Sequence, residues 1–212
     1  MAITKICFFG ASTTEGLGDE ARLGWPGRLL ADTAAGRNDI AGYNLGVGGQ
    51  TTSILKARFM AECQTRLSAD ARKVIFLSFG LNDVAEVGGI PRMPHHRTLK
   101  NVEEIICQAT DIADVILWMG AAPIHDEMMP ITYENGNVFS FSNQVISTLN
   151  DEYYDIATKY KIPYLDAFNP LMQGLQYKEA LRAVDGLHPN GEGYQQIANL
   201  ISSWGAWQSI LG

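Results

Sequence analysis

The sequence lacks the features that mark several classes of protein. Its three cysteines, Cys7, Cys63 and Cys107, form no C-x-x-C pair and fall in apolar or helical patterns, which favours reduced core thiols over disulfides. No apolar run approaches the roughly 18 residues of a membrane span, and the N-terminus shows no signal-peptide pattern. The absence of both predicts a cytoplasmic protein without a membrane span.

Basic residues are also few. The chain has 16 Lys and Arg against 23 Asp and Glu, for a net charge of -7, and no basic run. Nucleic acid is therefore not an expected partner, since phosphate-backbone binding needs clustered Lys and Arg. The histidines and cysteines show no metal-ligand spacing and no Walker phosphate loop is present, so neither a metal nor a nucleotide cofactor is expected. The sequence does not indicate an oligomeric state.

Short apolar runs alternate with longer stretches of helical period, without a repeat or a linker. The runs that predict strands are 3–9, 40–45, 74–79, 115–119 and 162–165. The stretches that predict helices are 52–67, 99–112, 141–160 and 193–204. This alternation is typical of an α/β domain with one parallel sheet, here spanning residues 1–212. Ligands of such sheets bind at the carboxyl ends of the strands, where several of the 21 glycines lie.

Four turns at predicted strand ends, or before the last helix, carry residues suited to chemistry. Ser12 follows the first strand and could be a nucleophile or only a helix N-cap. The glycine-rich turn at Gly46 could be a tight connection or a place where a substrate reaches a backbone N–H. Asn82 follows the third strand and could bond its own turn or stabilise an oxyanion.

The last turn places Asp185 and His188 three residues apart. A carboxylate at this spacing can accept from Nδ1 of the imidazole, which leaves Nε2 free as a base. A plain surface turn fits the same residues. Together, however, the four turns supply a nucleophile, oxyanion donors and an oriented base, which are the parts needed for acyl transfer.

These turns also resemble, in order, the four sequence blocks of the SGNH or GDSL-type hydrolases. The blocks are Gly10-Ala11-Ser12-Thr13, Asn44-Leu45-Gly46-Val47-Gly48-Gly49, Gly80-Leu81-Asn82-Asp83 and Asp185-Gly186-Leu187-His188. The resemblance spans nearly the whole chain and implies a three-layer α/β/α, flavodoxin-like fold with a five-stranded parallel sheet. One departure is Ala11, which stands where the family has Asp, and this loss bears on how the nucleophile turn is braced.

The resemblance implies a serine esterase or acylhydrolase that cleaves small acyl or acetyl esters without a metal or cofactor. Ser12 would attack the ester, His188 would take its proton and Asp185 would orient His188. The N–H groups of Ser12 and Gly46, with the Asn82 amide, would form the oxyanion hole. Alternatives are a carbohydrate O-acetyl esterase or an acyltransferase with the same triad, and a non-catalytic small-molecule-binding domain of the same fold.

Two insertions, roughly residues 84–97 and 121–140, are expected to overhang this site. Together with the nucleophile turn they provide the predicted substrate-lining residues, which are Ala11, His95, His125 and Met128. His125 is also a possible rival to His188 as the base, although a pocket wall is favoured. The insertions contain apolar side chains suited to an acyl or aryl group and polar ones suited to a sugar, so the sequence leaves the substrate open.

Overall fold

The protein is described by a computed structural model over residues 3–212, so residues 1 and 2 of the predicted domain lie outside it. In chain order the strands are β1 (Thr4–Gly10), β2 (Ile40–Gly46), β3 (Arg72–Ser78), β4 (Glu86–Val87), β5 (Ile90–Pro91), β6 (Val115–Met119), β7 (Ile131–Thr132), β8 (Val138–Phe139) and β9 (Tyr164–Leu165). The helices are α1 (Ser12–Glu15), α2 (Gly24–Thr33), α3 (Thr52–Arg66), α4 (Leu81–Val84), α5 (His95–Ile112), α6 (Asn143–Lys159), α7 (Phe168–Gln173), α8 (Leu175–Arg182), α9 (Gly191–Ser202) and α10 (Gly205–Leu211).

Five strands form one parallel sheet in the order β2-β1-β3-β6-β9. Counted along the chain among these five, the order is 2-1-3-4-5, which is that of flavodoxin-like sheets. The predicted α/β/α fold and five-stranded parallel sheet are therefore confirmed. The order reverses between β1 and β3, and ligands of such folds bind beside this reversal.

The two faces of the sheet bury separate apolar cores. Successive side chains of a strand point to opposite faces, so Phe8 and Phe76 pack with one cluster of buried residues, while Phe9 and Leu77 pack with another. Side chains of α3, α5 and α6 complete the second cluster, and those of α2, α8, α9 and α10 complete the first. Helices on both faces explain why β1 and β3 are nearly continuous apolar runs.

Two short hairpins lie over the carboxyl edge of the sheet and correspond to the predicted insertions. β4 pairs with β5, and β7 pairs with β8. The hairpins are joined because Glu86 and Ser140 exchange backbone hydrogen bonds of 2.9 and 3.0 Å. A third apolar cluster, which includes Ile131 and Phe141, anchors them to the domain. We call this pair of hairpins the cap.

Some elements differ from the sequence prediction. The last predicted helix, 193–204, corresponds to α9, and an unpredicted helix, α10, follows it and buries Trp207 and Ile210. Helix α2 was also not predicted; Pro26 lies in its first turn, where proline is tolerated. Cys107 is exposed rather than a core thiol, whereas the other two cysteines are buried. Within the described part of the chain, no helix is long and apolar enough to cross a membrane.

Candidate active site

Ser12 lies at the carboxyl end of β1, on the turn into α1. The carbonyl of Ala11 accepts the N–H groups of Thr14 and Glu15 at 3.1 and 2.9 Å. From β2, Nδ2 of Asn44 donates to the carbonyl of Thr14 at 2.8 Å. The turn is thus braced by backbone bonds and by Asn44, without the carboxylate that Ala11 replaces.

His188 reaches this turn from near the other end of the chain. Its Nε2 lies 2.8 Å from Oγ of Ser12, and its Nδ1 lies 2.7 Å from Oδ2 of Asp185. Oδ1 of Asp185 accepts the N–H groups of Leu187 and His188 at 2.9 and 2.7 Å. Ser12 is 8% exposed and His188 is 1% exposed. The structure therefore brings the three predicted residues into one hydrogen-bonded chain.

The charge of Asp185 sets the tautomer of His188. Burial raises the pKa of Asp185, but the ring hydrogen bond and charge of His188 and two backbone N–H groups together outweigh burial, so the pKa lies below its ordinary value. An ionised carboxylate only accepts hydrogen bonds, so Nδ1 of His188 carries a proton. In the neutral ring Nε2 is then an acceptor aimed at the Ser12 hydroxyl.

Asn82 is fixed by the buried carboxylate next to it. Asp83 accepts hydrogen bonds from the N–H of Thr52 at 2.9 Å, from its hydroxyl at 2.5 Å and from the Thr98 hydroxyl at 3.2 Å. Burial raises the pKa of Asp83 despite these bonds, which join α4 to the starts of α3 and α5. Gly80, at φ +104°, makes the turn from β3 into this segment. Asp83 thus has a structural role, which is to hold α4 against α3 and α5.

The glycine-rich turn after β2 packs tightly against α1. A Cβ at Gly46 would overlap the backbone of Glu15, so β2 can approach α1 this closely only with glycine there. The N–H of Gly46, a predicted oxyanion donor, donates to Oδ1 of Asn44 at 3.0 Å. Gly48 and Gly49 line the cavity, and their N–H groups bond to none of the residues in 3–212.

A cavity of about 270 Å³ opens beside Ser12, Asn82 and His188. Its outer wall comes from the cap and from the α1 turn, and includes Leu17, Arg92, Tyr133, Asn135, Asn137 and Phe139. The rings of Tyr133 and Phe139 pack edge to face with their centroids 5.5 Å apart. The cavity therefore combines aromatic surface with amide groups directly above the serine.

The predicted lining residues lie elsewhere. His95 is on the exposed face of α5, where its Nε2 lies 2.8 Å from Oε1 of Glu152. His125 is 2% exposed and lines a separate cavity beside α8, so it is no rival to His188. Met128 packs against Gly186 behind the Asp185 turn, and Ala11 lines a separate small cavity with Thr13 and Trp25. The insertions fold over the site as expected, but the side chains that they direct into the cavity are not the predicted ones.

The sequence did not single out Arg92, which follows β5 and lies against Asn82. No local pattern marks it, because its place depends on how the first hairpin of the cap folds back over the sheet. Among residues 3–212, no group of three or more His, Cys, Asp or Glu side chains is arranged to hold a metal ion.

One family model matches most of the chain. The family model for the GDSL-like Lipase/Acylhydrolase family matches residues 8–196. No curated protein matches the chain in sequence.

Solved structures share the fold over the full chain. A lipase/acylhydrolase from Enterococcus faecalis is 23% identical, with a TM-score of 0.75 over 99% of this chain and 96% of its own. A lipolytic protein of the G-D-S-L family from Veillonella parvula is 21% identical, with a TM-score of 0.69 over 94% of this chain and 96% of its own. A catalytic mutant of an acetylxylan esterase from Geobacillus stearothermophilus is 17% identical, with a TM-score of 0.68 over 100% of this chain and 96% of its own. At these identities the likeness establishes the fold.

Proposed function

Because this chain belongs to the GDSL-like lipase/acylhydrolase family and is a carboxylic ester hydrolase, we propose that it cleaves small acyl esters through Ser12, Asp185 and His188. The observation that carries the proposal is the continuous chain of short contacts from Asp185 through His188 to Ser12. A serine whose hydroxyl faces the free nitrogen of an oriented imidazole is an activated nucleophile. The intact, braced turn argues against the non-catalytic binding domain.

The reaction has two steps, acylation of Ser12 and hydrolysis of the acyl group from Ser12. Oγ of Ser12 bonds to the ester carbonyl carbon while Nε2 of His188 takes the hydroxyl proton, and the carbonyl oxygen becomes an oxyanion. Collapse breaks the bond to the alcohol oxygen, which takes the proton from His188. Water then attacks the acyl group on Ser12 with the same help from His188, releasing the carboxylic acid and restoring the serine.

Four donors would hold the oxyanion. They are the backbone N–H groups of Ser12, Gly48 and Gly49, together with Nδ2 of Asn82. We assign Gly48 and Gly49 the role expected of Gly46 because they line the cavity and their N–H groups bond to none of the residues in 3–212. Such donors act where charge develops, and removing one typically raises the barrier by about 2.7–4 kcal/mol.

The primary test is hydrolysis of p-nitrophenyl acetate together with labelling by a serine-directed phosphonate. We expect turnover, loss of turnover on labelling, and a label on Ser12 by peptide mass spectrometry. Ser12→Ala should abolish both, while Ser209→Ala, an exposed serine on α10, should change neither. Full turnover in Ser12→Ala would refute the assignment of the nucleophile.

A second candidate substrate class is an O-acetylated carbohydrate. Tyr133 and Phe139 offer aromatic surface and Asn135 and Asn137 offer amide donors and acceptors, a combination suited to a sugar ring. One fold relative is an acetylxylan esterase, which adds support. Rates on p-nitrophenyl esters of increasing chain length, compared with acetylated sugars, separate the candidates. A rate that rises with chain length would favour simple acyl esters.

A further inference from the structure

One arginine joins three segments that surround the cavity. Nη1 of Arg92 donates to Oδ1 of Asn82 at 3.2 Å, and Nη2 donates to the carbonyl of Gly49 at 2.9 Å. The guanidinium carbon lies 5.4 Å from the centroid of the Phe139 ring. The backbone N–H of Arg92 donates to the carbonyl of Ala85 at 2.9 Å, which fixes the base of the side chain. Arg92 thus connects the cap to both polar loops of the proposed oxyanion hole.

The contact with Asn82 fixes the direction of an amide that has two unlike ends. A guanidinium carries N–H donors and no acceptor, so the oxygen of the amide must face Arg92. The nitrogen end, Nδ2, then points away from Arg92. Nδ2 bonds to none of the residues in 3–212, and it is not fully buried. Asn82 lines the cavity beside Ser12, so this free donor is available to a substrate.

We propose that Arg92 is a positioning residue that keeps Nδ2 of Asn82 directed at the developing oxyanion. This inference rests on the proposed function, since it concerns a donor of that reaction. If the amide rotated by half a turn, it would present its oxygen to the oxyanion and would repel the charge it is meant to stabilise. A donor helps catalysis most when it is oriented before the reaction begins.

Arginine suits this task better than lysine. Its planar fork reaches the Asn82 oxygen and the Gly49 carbonyl together, whereas one ammonium is a single point donor on a flexible stem.

The test is a double-mutant cycle of Arg92→Met and Asn82→Ala with p-nitrophenyl acetate. Methionine keeps an unbranched apolar side chain in place of the aliphatic part of arginine but donates nothing. We expect Arg92→Met to lower kcat by about 10–100-fold with little change in KM, which is less than the about 10²–10³-fold lost when a donor is removed outright. In the Asn82→Ala background, Arg92→Met should have no further effect, because the group it orients is gone.

Control variants separate this role from others. Arg97→Met, at an exposed arginine of α5, should leave kcat unchanged, and Arg92→Lys should fall between wild type and Arg92→Met. If Arg92→Met does not fold by thermal melting, the cycle is run with Arg92→Lys. Effects of the two substitutions that multiply, or a change confined to KM, would overturn the positioning role. Activity that survives Ser12→Ala would instead refute the proposed function itself.

Discussion

Asp185 holds His188 at two points, with Oδ1 on its backbone N–H and Oδ2 on its ring Nδ1, both at 2.7 Å. The D-x-x-H spacing permits this because a carboxylate three residues before the histidine, in the same turn, lies within hydrogen-bond distance of both its backbone N–H and its ring Nδ1. Since backbone and ring are bound by the same carboxylate, the ring keeps one orientation. That orientation places Nε2 at 2.8 Å from a serine 176 residues away in sequence.

Asp185→Asn should therefore remove most of the activity without removing the side chain. The amide can present its NH2 group to Nδ1, which favours the tautomer with the proton on Nε2, and that nitrogen could then no longer accept from Ser12. We expect kcat to fall by about 10⁴-fold, as for this exchange in other triads, with a smaller change in KM. Steady-state kinetics on p-nitrophenyl acetate measures both. Asp166→Asn, in a turn where Asp166 accepts two hydrogen bonds from Asn169, is the matched control.

The acid stability of the protein should also depend on Asp185. Its pKa is lower in the folded protein than the ~3.9 of an unfolded aspartate, so its carboxylate stabilises the fold above about pH 4. That contribution is lost as the pH falls through the lowered folded pKa. Urea unfolding of wild type and Asp185→Asn should give a constant difference in free energy of unfolding from pH 7 to 5, and a shrinking one below pH 4. A difference that grows on acidification would contradict the lowered pKa.

Asn82→Ala should lower kcat by about 10²–10³-fold, because the oxyanion loses its side-chain donor. The fold should change little, since Asp83 and its hydroxyl partners hold the segment from the buried side. Asn82→Asp should be at least as slow, because it sets a carboxylate beside the developing charge. Kinetics with matched thermal melts checks both variants. An Asn82→Ala enzyme within threefold of wild type would remove Asn82 from the oxyanion hole.

Much of this site follows from where strands end. Apolar runs buried on both faces mark the strands of a parallel sheet, and the residues directly after them share one edge, so Ser12 and Asn82 could be placed together from sequence. The Asp185–His188 pair was visible because its spacing is local. The roles of these residues in catalysis rested in addition on the resemblance of the four turns to the SGNH or GDSL-type hydrolases.

Other features depend on contacts that no local pattern records. Gly46 and Gly49 look alike in sequence, but Gly46 packs against the backbone of Glu15 whereas Gly49 lines the cavity. His95 and His125 lie in the expected insertions, but His95 is exposed on α5 and His125 is buried beside another cavity. Loops carry the specificity of such sites and are the part least determined by periodicity.

Gly80→Ala should destabilise the fold through two separate effects. Gly80 has φ +104°, which is unfavourable for alanine, and a Cβ there would overlap the hydroxyl of the fully buried Tyr153. Gly36 has φ +74° with nothing within 4 Å of the added Cβ, so Gly36→Ala isolates the backbone effect. We expect Gly36→Ala to cost about 1–2 kcal/mol and Gly80→Ala about 2–5 kcal/mol in urea unfolding, since overpacking adds to the strain.

Tyr153→Phe tests the steric part of that argument. The Tyr153 hydroxyl is buried and bonds to none of the residues in 3–212, so its removal should cost little by itself. In the Gly80→Ala background it should recover part of the lost stability, because the nearest overlapping atom is gone while the ring carbon at 2.9 Å remains close. No recovery in the double variant would mean that backbone strain alone explains why glycine is needed where β3 turns towards Asn82.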